Sequence, residues 1–168
     1  MNLVFIALRL IHIVAGSFWV SAAVLNAAFL IPAAKALGAE GGKFLQFVLG
    51  KLRLANYISL SAILTTLAGI ALYWIRSGGL QTAWIFTSAG IILSIGAMTG
   101  IAAAILGGLH TAPIAARMEN LGKEIASTGG PPKPEQLAQL QNLQAKLGQS
   151  GLWGAILLVV TIIAMAIG

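Results

Sequence analysis

Apolar residues run along this chain in four blocks, and the stretches between them hold nearly all of its charge. A helix that crosses a hydrocarbon core of about 30 Å needs about 20 apolar residues, and inside that core only helices or closed barrels satisfy their backbone. The blocks predict spans over 3–34, 54–75, 83–109 and 152–168. The first is uncharged from Leu10 onward and is expected to close at Pro32 and then Gly38, and a Ser77-Gly78-Gly79 turn precedes the third. Residues 112–149 follow another pattern. Ile114, Met118, Leu121 and Ile125 fall at helical spacing after a Thr111 cap and Pro113, and Thr128-Gly129-Gly130-Pro131-Pro132 breaks the run. Leu137, Leu140, Leu143 and Leu147 then repeat the spacing after Pro134. The predicted fold is all-α and a single membrane domain over 1–168. It is a polytopic four-transmembrane-helix bundle with a cytoplasmic amphipathic helical hairpin between helices 3 and 4. A spacer lying on the lipid surface fits the 112–149 pattern equally well.

Composition supports this. Of 168 residues, 58% are hydrophobic and 8% charged, against about 25% charged in soluble domains, so membrane lipids are the expected surroundings. With no cysteine there is no disulfide, thiolate metal site or cysteine nucleophile, and any metal here uses His, Met, Tyr or backbone ligands. The net charge of +6 suggests nucleic acid only until its cations are placed. Lys35, Lys43, Lys51 and Arg53 fall in the first connection, Arg76 alone in the second, and Arg117, Lys123, Lys133 and Lys146 in the third. That is a topology signal with no nucleic-acid partner implied. It puts the first and third connections in the cytoplasm and both termini outside. The first run is too long for a signal peptide, despite the small residues of Ala34-Lys35-Ala36, and is expected to be retained. Tyr73, Trp74, Trp84 and Trp153 fall near span ends as an interfacial belt, whereas Trp19 lies deep in the first span.

The first span carries the most unusual face. Arg9, His12, Gly16, Trp19, Ala23 and Asn26 recur at intervals of three and four and share one winding stripe. Ionisable groups inside a bilayer are costly and mark candidate functional sites. His12 lies nine residues into the span, roughly 14 Å at 1.5 Å per residue, in the outer half of the membrane. It is the candidate axial ligand of a b-type haem. Gly16 makes room for a flat macrocycle, Trp19 stacks near it, and Arg9 either pairs with a propionate or snorkels to the head groups. The plainer alternative is a histidine hydrogen-bonded to a neighbouring helix. His110 sits at the other end of the third span, which runs parallel to the first, so one haem cannot bridge the two histidines. The candidates for a second ligand are Tyr73, Met165, or His12 of a symmetry mate, and a five-coordinate iron with none is the further alternative.

On the second span Asn56, Ser59, Thr66 and Tyr73 share a polar face that joins helices. On the third, Gly96, Gly100, Ala104 and Gly108 recur every four residues as a smooth packing stripe, facing either the first span or a second protomer. No Asp or Glu occurs in any span, and no nucleophile–base pair or phosphate-binding loop appears, so hydrolytic enzyme chemistry and a carboxylate proton relay lack their residues.

Leu10-Ile11-His12 followed by Trp19 carries a family resemblance, as does the stretch from Gly108-Leu109-His110 through Ala112-Pro113-Ile114 and Arg117 to Pro134-Glu135-Gln136. Over most of its length the chain resembles the CopD-like and HemJ-like small bacterial membrane proteins. The resemblance implies a four-helix bundle in the bacterial inner membrane and, from the HemJ-like side, haem held by a first-span histidine, here His12. From the CopD-like side it implies copper handling, for which two His and four Met give poor support. The set of basic residues that accompanies HemJ-like oxidase activity is also missing, so that activity is not carried over. Three functions follow in order. The first is a haem-binding protein, as a small b-type cytochrome or haem carrier in electron transfer. The second is a cofactor-free accessory subunit of a homodimer or larger membrane complex. The third is copper or small-solute transport.

Overall fold

The computed structural model describes residues 2–129 and 131–168. Four of its helices are long and apolar enough to cross a membrane. Helix α1 spans Leu3–Ala36, α3 Leu54–Arg76, α5 Ser88–Ser127 and α6 Pro134–Ile167. Between them lie a connecting helix α2 over 38–51 and one turn, α4, at Thr82–Ile85. The Asn2 side chain caps α1 by accepting from the Val4 N–H at 3.1 Å. Gly38, at φ +59, supplies the left-handed residue that separates α1 from α2.

Two prolines behave differently from the sequence expectation. Pro32 does not close the first helix, and Pro113 does not open a new one. In both places a π turn comes first, at Asn26–Leu30 and at Gly107–Thr111, and the helix continues through the proline. A proline ring collides with the carbonyl four residues earlier and removes one N–H. A widened turn just upstream shifts that register and lets the helix pass. Thr111 therefore caps nothing. Its backbone is helical, and its hydroxyl pairs with that of Ser150 on α6. The apolar pattern of 112–127 is the last part of the 40-residue α5, and that of 134–149 is the first part of the 34-residue α6. At 1.5 Å per residue these helices are about 60 and 51 Å long, well beyond the thickness of a hydrocarbon core.

The long helices form a square, each antiparallel to both neighbours. Helix α1 packs closely on α3 and α5 on α6, while the contacts of α1 with α6 and of α3 with α5 are lighter. Two tight pairs held loosely together leave space along the bundle axis. Trp19, Ala103 and Leu158 close that axis midway in a buried cluster. Outward-facing positions are apolar, with Leu3, Phe86 and Met98 each more than 70% exposed, a surface suited to lipid.

The end bearing the basic connections has its own core. Leu45 of α2, 1% exposed, is wedged among Ala34, Met118, Leu121, Leu143 and Leu147. Gly41 makes this possible: a Cβ there would lie 2.0 Å from the Ala34 carbonyl oxygen, so only glycine lets α2 fold back onto α1.

Candidate functional site

In the half of the bundle that holds both termini, the space between the helix pairs is a cavity of about 710 Å³, within the range of about 300–1,000 Å³ typical of ligand sites. All four long helices line it. Five of the six residues singled out as cofactor candidates meet on its wall: His12, Gly16, Trp19, Tyr73 and Met165. Arg9 does not join them. Its side chain is exposed, and its guanidinium carbon lies 5.9 Å over the Phe5 ring.

His12 owes its pose to α3. Its Nδ1 lies 2.9 Å from the carbonyl oxygen of Thr65. A carbonyl only accepts, so Nδ1 carries the proton and donates it. In the neutral ring Nε2 is then left with its lone pair, the tautomer found when histidine binds a metal through Nε2. Gly69, one turn further along α3, gives the ring its place: a Cβ there would stand 2.8 Å from His12 Cε1. Gly16 faces the Thr65 side chain in the same way, with a Cβ 3.3 Å from Cγ2.

Thr65 is 9% exposed, and its hydroxyl has no hydrogen-bond partner among the described residues. An unmade hydrogen bond costs about 1–3 kcal/mol, and here it belongs to the wall of the cavity. Tyr73 is better satisfied. Ser94 Oγ donates to the Gly90 carbonyl at 2.6 Å, so the Tyr73 hydroxyl donates to Ser94 Oγ at 2.5 Å. Trp84 packs edge-on against the Tyr73 ring at 5.6 Å.

The Gly96 and Gly100 positions of α5's small-residue stripe pack on α6 and not on the first helix. A Cβ at Gly96 would meet the Ala164 Cβ at 3.1 Å, and one at Gly100 the Thr161 Cγ2 at 3.4 Å. Farther along, Ala104 borders the Trp19 cluster, whereas Gly108 faces open space. His110 is exposed on the π turn at the opposite end of the bundle from His12. Among the described residues no group of three or more His, Asp or Glu side chains stands close enough to hold a metal ion.

Sequence reading picked out the residues of α1 but missed what holds them. Thr65 and Gly69 act through a backbone carbonyl and an absent side chain, neither of which has a polar signature. Their only trace is the four-residue spacing of Thr65, Gly69 and Tyr73, which puts all three on one face of α3. No protein family, curated protein or solved structure matches this chain.

Proposed function

We propose that the chain is a multi-pass membrane protein that binds haem b in the outer cavity, with His12 Nε2 as an axial ligand. The observation that carries this is the His12–Thr65 hydrogen bond, which fixes the tautomer and leaves the other ring nitrogen with a free lone pair on a residue of an apolar cavity wall. Haem suits this site better than a bare copper ion. A porphyrin brings four ligands of its own and asks the protein for one or two, whereas copper held by protein alone needs a cluster of donors. Met165 is the better second ligand, because Tyr73 already directs its proton to Ser94. Bound there, haem supplies one-electron transfer. Of the chain's own residues, Thr65 and Gly69 orient His12, Trp19 closes the inner end of the cavity, and the apolar walls would keep water from the group, whereas Gly16 makes room for the Thr65 side chain. The Gly96–Gly100 part of the small-residue stripe packs on α6, which leaves Gly108 and the basic end as the surfaces open to a partner in the accessory-subunit alternative.

The positive-inside rule places the basic end, with its extended α5 and α6, in the cytoplasm of a bacterial inner membrane, and both termini outside. Membrane-impermeant thiol labelling of Lys133→Cys and Arg76→Cys in intact cells tests this, with only the second expected to react. The haem reading is tested by the visible spectrum of the detergent-purified protein, oxidised and reduced. A Soret band that disappears in His12→Ala and persists in His110→Ala supports it. Absence of any band after haem supplementation would overturn it.

A further inference from the structure

A second cavity of about 630 Å³ lies beyond the Trp19 cluster, toward the basic end. All three π turns of the chain's described residues reach its wall. Asn26 comes from the first, Gly50 from the second, which is Phe47–Lys51 at the end of α2, and Gly107, Gly108 and Thr111 from the third. Two of these turns let the helix pass its proline, and in doing so they also set back the backbone that borders this space. Three glycines of this wall, Gly107, Gly108 and Gly154, are helical and would place a Cβ within 4 Å of nothing. Glycine in a helix costs about 1 kcal/mol relative to alanine, and elsewhere in this bundle it is repaid by close helix contact. Here no helix approaches, and the missing side chains only enlarge the space.

The wall also has a definite chemistry. Its deep part is Ala62, Ala103, Leu158 and the Trp19 ring; Asn26 stands on it half-buried, Asn56 stands at its exposed edge, and Gln46 borders it with its carboxamide against Gly122. Asn26 donates its amide N–H to the Ala22 carbonyl at 2.7 Å, which leaves its Oδ1 as an acceptor. No Lys or Arg lines the cavity, and its one charged residue, Glu119, is an anion already bridged to Lys123 at 2.6 Å. A phosphate head group finds no countercharge here. A neutral head that both accepts and donates hydrogen bonds, joined to an apolar body, matches what the wall offers.

We infer that this second cavity is a binding site for a neutral ring-headed amphiphile of the prenylquinone and quinol class. The carboxamides take the ring oxygens, and the glycine-lined slot takes the flat ring. The inference stands on the second cavity alone and does not depend on haem in the first.

The test is thermal unfolding of the detergent-purified protein titrated with decylubiquinone and, in parallel, with its reduced quinol, whose hydroxyls can donate to Asn26 Oδ1, since a ligand of the folded state raises Tm in a saturable way. Short-chain phosphatidylglycerol and dodecanol serve as competitors. Saturable stabilisation is expected for wild type and for His12→Ala, so the result is independent of the Soret measurement. Asn56→Leu, losing one hydrogen bond, is expected to weaken the apparent Kd about tenfold. Gly108→Leu and Gly154→Leu, whose Cβ atoms would have no other atom within 4 Å, are expected to reduce the cavity and lose the response. The inference is overturned by an absent or unsaturable response in wild type. It is equally overturned by an undiminished response in both glycine variants, or by phosphatidylglycerol or dodecanol competing as well as the quinone.

Discussion

The His12 imidazole donates from Nδ1 to the backbone carbonyl of Thr65 at 2.9 Å, and so joins α1 to α3 through a group that no substitution at position 65 removes. What substitution can disturb is the space the ring occupies. Gly69→Ala would put a methyl group 2.8 Å from His12 Cε1, displacing the ring and breaking the hydrogen bond. The expected cost is about 1–3 kcal/mol, as for other overpacked sites, together with loss of the Soret band. Gly16→Ala meets only a methyl at 3.3 Å and is expected to be milder in both respects. Thermal unfolding and a visible spectrum on the same two samples check this. A Gly69→Ala protein with wild-type absorbance would mean that the ring pose is irrelevant to the cofactor.

Met165 and Tyr73 share the cavity but differ in what they have left to offer. The Tyr73 hydroxyl donates to Ser94, whereas Met165 is partly open. Met165→Leu is expected to keep the Soret band and to give a ferrous form that binds carbon monoxide, because one axial position has been vacated. Tyr73→Phe should leave the ferrous spectrum as in wild type. Carbon monoxide difference spectra of the two variants decide between these ligands, and the opposite pattern would transfer the role to Tyr73.

The bundle depends on close approach of α5 and α6 at Gly96. A larger side chain there meets Ala164 at 3.1 Å and Met165 at 3.2 Å, so Gly96→Val is expected to destabilise by about 1–3 kcal/mol. Nearby, the hydroxyls of Thr99 and Thr161 are 2.9 Å apart. Hydrogen bonds of this kind between apolar helices average about 0.6 kcal/mol, so Thr161→Val should cost several-fold less than Gly96→Val. Chemical denaturation of both variants in the same detergent gives the comparison.

The four apolar helices were legible because their signal is composition over about 20 residues, which later contacts do not alter. The face bearing His12 was legible for a related reason: helical spacing alone puts His12, Gly16 and Trp19 on one side. The facing helix was not legible. Small-residue spacing on α5 says that something approaches closely, but α6 is selected by the order of helices around the square, which spacing does not encode. Proline misled for a third reason. Pro32 and Pro113 read as helix boundaries, and the π turns that absorb them have no distinctive residue type. In α2, Leu45 and Leu49 lie one helical turn apart and share the buried face, but it is Gly41, by allowing the close approach to Ala34, that lets this short face reach the core.

Whether α5 continues through Pro113 has a direct geometric consequence. The chain has no cysteine, so two introduced thiols carry spin labels without background. Met98 and Asn120 are both exposed on α5 and are separated by 22 residues, spanning the π turn at Gly107–Thr111. An unbroken helix separates them by about 33 Å at 1.5 Å per residue. A helix that bent sharply at Pro113 to lie along the lipid surface would bring them to roughly 25 Å, from the same rise applied to two legs at a right angle. Pulsed electron–electron distance measurement on Met98→Cys/Asn120→Cys in detergent and in lipid nanodiscs is expected to give the longer distance in both. A distance near the shorter value in lipid would show that the extension folds onto the membrane surface. The packing of Leu45 against Met118 and Leu121 would then be lost, and with it the floor of the second cavity.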